Sequence, residues 1–157
     1  MKNFKFLFVL LICSTYITGC SSDDSDGDTM DNTAVLGTYT LTEVNISIPQ
    51  DPNEDGTSST NMVEELPCLT GELTVSADGT WNMTLVELSI STVTGDFYAV
   101  RCADDTAKDY SGRFSFQNNQ LTLDALQFST FSLNGDILTE NINEELPGIL
   151  NRKFEKQ

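Results

Sequence analysis

Three oxygen-bearing side chains in one loop have the spacing of the first half of a calcium-binding loop. They are Asp51, Asn53 and Asp55, and Gly56 follows them directly. Alternate side chains of this kind converge on a hard cation, and the glycine permits the sharp turn. The twelfth position normally supplies a bidentate glutamate, whereas this sequence has Met62 there. Because the same residue types also form ordinary polar loops, these residues are a calcium candidate only, and we predict no firm metal site.

Neighbouring carboxylates occur in three other places, where they could act as general acids and bases: Glu64-Glu65, Asp104-Asp105 and Glu144-Glu145. A glycosidase needs two carboxyl groups about 5–10 Å apart across a cleft, usually on different strands. Adjacent carboxylates in one loop are more often a solvated run of charge. The chain contains no histidine, and we find no Gly-x-Ser-x-Gly elbow. We therefore predict no catalytic residues, no cofactor and no enzymatic activity.

The charge of the chain excludes one large class of partner. It has 157 residues, with 24 acidic and 8 basic side chains and a net charge of -16. Between Cys20 and Arg101 there is no basic residue at all. Nucleic-acid binding requires a basic patch for the phosphates, so we predict no nucleic-acid partner. The length is that of a single domain.

The first residues have the pattern of a secretory signal. Lys2 and Lys5 precede an apolar run at residues 6–12 that is too short to span a membrane. The segment Ile17-Thr18-Gly19-Cys20 then resembles the lipobox of bacterial lipoproteins, with Ile17 where that family usually has leucine. The resemblance implies a signal peptide at residues 1–19, cleavage before Cys20 and acylation of that cysteine. The alternative is an ordinary signal with a stray cysteine.

An acidic segment follows the predicted lipidation site. Residues 20–34 contain a run of serine, aspartate and glycine, which is too polar to form a core, so we predict a flexible tether. Acidic residues just after the acylated cysteine resemble the surface-export signal of some Gram-negative lipoproteins. We expect a protein attached to the outer membrane through its lipid, at the cell surface or on the periplasmic face. Several acyl chains on one cysteine give a stable membrane anchor.

Two cysteines remain once the signal and the lipid account for Cys13 and Cys20. These are Cys68 and Cys102, an even pair in an oxidising compartment, and we predict a disulfide between them. A redox pair or thiolate ligands of a metal are the alternatives. Neither alternative is supported by a Cys-x-x-Cys spacing or by a histidine.

The rest of the chain alternates apolar and polar residues in short runs, which indicates β-strands. A change of phase between Leu41 and Val44 predicts a β-bulge near Thr42-Glu43. Asn134-Gly135 is a strong hairpin signal. The runs predict eight strands, at residues 37–48, 71–76, 80–90, 96–102, 110–116, 121–125, 127–133 and 136–142, with residues 148–154 as a ninth short strand or a helical turn.

Eight consecutive short strands predict an all-β domain at residues 35–157. The arrangement that we favour is a small antiparallel up-and-down eight-stranded β-barrel, because closure removes the exposed sheet edges. A β-sandwich would show the same strand spacing and is the alternative. An eight-stranded barrel is just wide enough to be filled by side chains or to hold one small ligand.

Several short segments resemble lipocalin-like, calycin-type domains. Leu36-Gly37-Thr38-Tyr39 resembles the Gly-x-Trp opening of the first strand, with Tyr39 in place of tryptophan, and Asp78-Gly79-Thr80-Trp81 resembles a later hairpin. Asn119-Gln120-Leu121 and Gly135-Asp136-Ile137 resemble later strand starts. In lipocalins a basic residue late in the chain packs over the first aromatic ring. The resemblance suggests Arg152 for that part.

The resemblance implies that the barrel binds a small, mostly apolar ligand. The predicted lining is Tyr39, Leu41, Trp81, Met83, Phe97, Phe114 and Phe131, although aromatic residues on strands are more often core than ligand platform. The alternative is a solid, non-enzymatic barrel that binds a protein or glycan partner through residues 49–62 and 103–109.

Overall fold

The computed structural model describes residues 32–94, 97–104, 106–125, 130–144 and 148–157. Its strands are β1 (Gly37–Gln50), β2 (Ser59–Asn61), β3 (Gly71–Val75), β4 (Thr80–Leu85), β5 (Leu88–Thr94), β6 (Phe97–Cys102), β7 (Lys108–Gln117), β8 (Gln120–Leu123), β9 (Thr130–Asn134), β10 (Ile137–Asn141) and β11 (Ile149–Lys156). A 3-10 turn, Asn32–Val35, precedes β1, and a single helical turn, α1 (Met62–Glu65), follows β2. In the described part of the chain, no helix is long and apolar enough to cross a membrane. The predicted signal peptide, Cys20 and the tether as far as residue 31 lie outside the described residues.

Eight of these strands form a closed antiparallel β-barrel, which confirms the predicted architecture over the sandwich. The order around the barrel is β1-β3-β4-β7-β8-β9-β10-β11, and β11 pairs back onto β1. Each barrel strand is therefore followed around the barrel by the next one along the chain, as in an up-and-down topology. The short β2 adds to β1 outside this ring, while β5 and β6 pair only with each other as a two-stranded sheet.

A β-bulge in β1 sets the register of the barrel closure. The pairing of β1 with β11 shifts between Leu41 and Glu43, at the position that the sequence predicts. The extra residue changes the phase of the strand, so Leu41 and Val44 both face the interior and both are buried.

Two strands differ from their predicted roles. The predicted third strand breaks after Leu85, where the Val86 N–H donates to the Thr70 carbonyl at 2.9 Å, and the chain leaves the barrel. The following residues form the β5–β6 hairpin, so the predicted fourth strand is not a barrel strand. Its place in the ring is taken by β11, which the sequence offered only as a ninth element. A strand that pairs in a local hairpin shows the same alternation of apolar and polar residues as a strand that pairs in the barrel. The sequence pattern therefore could not distinguish the two roles.

The barrel interior is filled by large apolar side chains from successive strands. The largest fully buried apolar ones include Trp81, Tyr39, Phe131, Phe154, Leu73, Met83, Leu121 and Leu138. The indole nitrogen of Trp81 donates to the Arg113 carbonyl at 3.0 Å and to Asp124 Oδ1 at 3.3 Å. Asp124 Oδ1 also accepts from the Arg113 N–H at 2.6 Å, so it satisfies two donors beside the core.

Replacing Gly112 with alanine should disturb this arrangement. A Cβ at Gly112 would overlap Asp124 Oδ1 and would lie 3.0 Å from the indole nitrogen of Trp81. We expect Gly112→Ala to lower the free energy of unfolding by about 1–3 kcal/mol, as overpacked sites do. Urea denaturation measures this loss. Ser111→Ala, at an exposed neighbouring position, is the control and should change stability by less than about 0.5 kcal/mol. Equal stability of Gly112→Ala and the unmodified protein would contradict the expectation.

Candidate functional site

The two ends of the barrel differ in the length of their connections. One end, which we call the turn end, carries the short links at residues 76–79, 118–119 and 135–136. The other, which we call the loop end, carries the longer segments at residues 51–70, 86–107 and 142–148. Ligand sites in β-barrels lie at the mouth, and binding residues concentrate on loops held by a rigid scaffold. The loop end is therefore the candidate functional end.

The turn end is closed by the 3-10 turn that precedes β1. Val35 is fully buried there, and the Tyr39 hydroxyl donates to the Val35 carbonyl at 2.9 Å. Lys156 Nζ lies 5.8 Å from the centroid of the Tyr39 ring and donates to the Ala34 carbonyl at 3.3 Å. The suggestion that Arg152 packs over Tyr39 is therefore wrong. The register places Lys156 opposite Tyr39, whereas Arg152 lies four residues earlier on the strand, about 13 Å away.

The structure brings most of the predicted ligand-lining residues into one buried cluster. Tyr39, Leu41, Trp81, Met83 and Phe131 are buried core residues, and Phe114 is half-buried against them. The Phe131 ring meets that of Phe154 edge-on, with centroids 6.0 Å apart. Phe97 belongs to β6, but its side chain lies outside the description. The proposed lining role of these residues stays a prediction.

The disulfide between Cys68 and Cys102 is present, as the sequence predicts. The Cα atoms of the two cysteines are 6.4 Å apart. The bond joins the segment before β3 to the end of β6 and thus attaches the β5–β6 hairpin to the barrel. At the same position the Ala103 N–H donates to the Glu87 carbonyl at 2.7 Å. The base of the hairpin is consequently fixed by both a covalent and a backbone contact.

A small apolar pocket lies between the hairpin and the loop-end half of β1. Its space accommodates about one water-sized sphere. Val100 is buried and Ile90 partly buried, so the hairpin packs this face against the core. The pocket is lined by Ile46, Ser47, Ile48, Gln50, Ile90, Tyr98, Val100 and Gly148.

A group of polar side chains lies beside the start of the hairpin. Glu87 accepts hydrogen bonds from Lys108 Nζ and from the Tyr110 hydroxyl, each at 2.7 Å. These donors hold the pKa of Glu87 below its ordinary value, the bond from Lys108 having the larger effect. Burial is the main reason that the pKa of Tyr110 is raised.

Arg152 and Glu140 form an ion pair at inward-facing positions of neighbouring strands. Arg152 Nη1 lies 2.9 Å from Glu140 Oε2, and the side chains are 14% and 2% exposed. They are direct cross-strand neighbours in the β10–β11 register. Because the pair is neutral as a whole, it supplies polar groups at the loop-end half of the interior without a net charge.

The acidic loop at residues 51–56 is folded around its own backbone. Asp51 Oδ1 accepts from the Asp55 N–H at 3.1 Å, and Asp51 Oδ2 accepts from the Gly56 N–H at 3.0 Å. Asn53 Oδ1 accepts from the same Asp55 N–H at 2.9 Å. Among the described side chains, no three of the types His, Cys, Asp and Glu stand close enough to hold a metal ion as they lie. The calcium candidate stays a prediction.

Sequence reasoning missed the charged groups of the loop-end interior. Glu140 follows Leu138 by two residues on one strand, so the alternation that places Leu138 in the core also places Glu140 there. A carboxylate at an inward position is the signal that could have revealed the pair. Of the neighbouring carboxylates that we considered for catalysis, Asp105 and Glu145 lie outside the described residues.

Removing one partner of the buried pair should cost far more than removing both. We expect Glu140→Leu to lower the free energy of unfolding by about 3–5 kcal/mol, because Arg152 is left charged and buried. The double variant Glu140→Leu/Arg152→Met should unfold within about 1 kcal/mol of the unmodified protein, or be more stable. Urea denaturation of the single and double variants measures the difference.

The more exposed pair of Glu43 with Lys153, at 2.7 Å, is the control for these variants. Glu43→Gln should cost at most about 1 kcal/mol. A double variant as unstable as Glu140→Leu alone would show that lost packing, and not the unpaired charge, causes the loss.

Removing the disulfide should destabilise the protein through its unfolded state. The bonded cysteines are 34 residues apart, and closing a loop of that length stabilises the fold by about 3–4 kcal/mol in the chain-entropy picture. We expect Cys68→Ala/Cys102→Ala to unfold at a correspondingly lower urea concentration. Added reductant should lower the midpoint of the unmodified protein and leave that of the double variant unchanged. Equal midpoints for the two oxidised proteins would contradict the expected contribution.

Comparisons with protein-family models, with curated proteins and with solved structures found no match to this chain. The closed eight-stranded antiparallel barrel is compatible with a lipocalin-like fold.

Proposed function

We propose that this protein is an acylated cell-envelope lipoprotein whose lipocalin-like barrel binds a small, mostly apolar ligand at the loop end. The apolar pocket beneath the β5–β6 hairpin is the observation that supports this most directly. Its walls come from a barrel strand and from a hairpin attached through the disulfide, so movement of the hairpin changes the size of the pocket. Isoleucine, valine and tyrosine side chains dominate the lining. An apolar ligand would replace contacts that the hairpin now makes with β1.

The buried interior supports this location for the ligand. Tyr39, Trp81 and Phe131 are fully buried and contribute to one core cluster. A ligand among them would have to displace several large side chains at once, and close-packed interiors resist such changes. A ligand under the hairpin displaces one two-stranded sheet, which is held to the barrel at its base.

The predicted anchor suits a binding site at the loop end. The described chain begins with Asn32 at the turn end, so the tether from Cys20 arrives there. Residues 21–31 reach at most about 40 Å when fully extended. The predicted tether therefore joins the barrel at its turn end, and its cysteine would be held at the cell surface or on the periplasmic face of the outer membrane. The loop end is the part presented away from the lipid.

Native mass spectrometry tests the proposed ligand. The protein is purified in detergent from its own envelope, and its mass is compared before and after organic extraction. We expect an extractable small-molecule adduct in addition to the acyl chains. Ile90→Trp and Ile48→Trp fill the pocket from its two walls and should abolish the adduct. Val93→Trp, on the same hairpin at a residue that is 64% exposed, is the control and should retain it.

Each of the remaining outcomes has a definite meaning. An adduct that survives both pocket-filling variants would place the ligand elsewhere, such as among the predicted interior residues. A clean protein mass from the envelope would argue against a carrier. It would favour the second candidate, a solid barrel that binds a protein or glycan, which the complete burial of Tyr39, Trp81 and Phe131 supports. The partner would then meet the loop end at residues 49–62 and 103–109.

A further inference from the structure

The disulfide between Cys68 and Cys102 lies at the surface, where a reagent in solution can reach it. Cys68 is exposed and Cys102 is partly buried. Exposed disulfides exchange with thiols more readily than buried ones and are more often regulatory. Both cysteines line an open surface cleft, whose other walls come from Leu66, Arg101, Ala103 and Asp104.

The disulfide is one of two anchors that join the base of the β5–β6 hairpin to the segment before β3. On the β5 side, the Val86 N–H donates to the Thr70 carbonyl at 2.9 Å. On the β6 side, the disulfide bonds Cys102 to Cys68, two residues before Thr70. After Cys102 the chain reaches β7 through residues 103–107, whose described members are all exposed. Breaking the disulfide therefore removes the anchor of β6 and leaves that of β5 in place.

The hairpin is also less firmly paired than the strands of the barrel. Within the described residues, β5 and β6 form a sheet only with each other, whereas every barrel strand pairs with a neighbour on both sides. Apolar packing holds the hairpin against the core, through Val100 and the partly buried Ile90. A unit with few partners opens at a lower cost in free energy than a closed sheet. The hairpin can therefore detach while the barrel stays folded.

We propose that the Cys68–Cys102 disulfide is a redox latch, whose reduction by a dithiol releases the β5–β6 hairpin from a folded barrel. A thiolate of the dithiol attacks Sγ of Cys68, the more exposed cysteine, and expels the Cys102 thiolate. The second thiolate of the dithiol then attacks the reductant's own sulfur in the mixed disulfide and expels the Cys68 thiolate. Two electrons pass from the dithiol to the protein, the protein thiolates take up the protons that the dithiol lost, and the dithiol becomes a disulfide.

Release of the hairpin uncovers the apolar surface beneath it. Ile90 and Val100 of the hairpin and Ile46 of β1 line the pocket between them, so detachment moves one wall of the pocket away from the other. That a ligand enters by this route rests on the function proposed above, whereas the release of the hairpin does not. The test of the latch therefore uses no ligand, and its failure is distinguishable from the failure of the proposed function.

The kinetics of reduction test whether the disulfide reacts in the folded protein. The full chain, purified in detergent, is incubated with dithiothreitol, and the remaining disulfide is measured by mass spectrometry after alkylation of the free thiols. We expect the same rate constant at every urea concentration below the unfolding transition, because an exposed disulfide reacts without unfolding. A rate constant that rises with urea as steeply as global unfolding does would overturn the proposal.

Hydrogen exchange, followed by mass spectrometry, tests the release of the hairpin. In the reduced and alkylated protein, the amides of β5 and β6 should exchange at least about tenfold faster than in the oxidised protein. Their rates should not depend on low concentrations of urea, as is typical of local opening. The amides of β4 and β7, which pair with each other in the barrel, should keep a steep dependence on urea. Unchanged exchange of the hairpin amides after reduction would refute the proposal.

Two variants separate release of the hairpin from a general loss of stability. Cys68→Ala/Cys102→Ala should show the fast hairpin exchange without reductant and should not respond to reductant. Glu140→Leu destabilises the barrel with the disulfide intact, so its hairpin amides should exchange as in the unmodified oxidised protein. Gly112→Ala serves as this control if Glu140→Leu does not fold. Equal acceleration of hairpin exchange in the control and in the cysteine double variant would show that global stability, and not the latch, holds the hairpin.

Discussion

Antiparallel pairing between the first and last strands holds the barrel closed, and the other features of the structure depend on its register. The pairing runs almost the full length of β11 and continues beyond both of its ends. At the turn end the Gln157 N–H donates to the Thr38 carbonyl at 2.9 Å, and at the loop end the Ser47 N–H donates to the Gly148 carbonyl at 3.1 Å. The bulge allows β1 to line the interior from the turn end to the loop end of the barrel, because the apolar residues on both sides of the bulge face inward.

The strand register of the closed barrel also divides the interior into an apolar half and a half that contains charged side chains. Along β10 the inward residues change from Leu138 near the turn end to Glu140 nearer the loop end, and β11 follows with Phe154 and then Arg152 opposite them. The turn-end half is consequently a packed apolar core. The loop-end half contains the ion pair of Glu140 with Arg152. A wholly apolar molecule has no reason to enter along the barrel axis, where it would desolvate these charges. The apolar surface under the hairpin lies to one side of them.

The sequence predicted the features that depend on the alternation of apolar and polar residues along the chain and on the number of cysteines. The barrel class, the bulge at Thr42-Glu43, the hairpin between β9 and β10 and the disulfide all follow from neighbouring residues or from the number of cysteines. The turn itself lies at residues 135–136, one position later than the predicted Asn134-Gly135. It did not predict which strands close the ring, because the β5–β6 hairpin and a barrel strand have the same pattern. It also placed the wrong basic residue over Tyr39, since the choice between Arg152 and Lys156 depends on the register between distant strands. The charged pair was not predicted, because the contact between Glu140 and Arg152 depends on the register between β10 and β11.

The segment from Gln50 to Cys68 connects the features of the loop end. Gln50 lines the apolar pocket, Asp51 begins the acidic loop, Glu65 ends α1, and Cys68 is bonded to the hairpin that forms the other wall of the pocket. Asn61 fixes α1 in place, because its Oδ1 accepts from the Val63 N–H at 3.2 Å and from the Val44 N–H at 3.1 Å. The acidic loop therefore lies between two points at which the segment is held to the barrel and to the hairpin. One end of the segment lines the pocket, and the other is bonded to the hairpin that forms the second wall of the pocket.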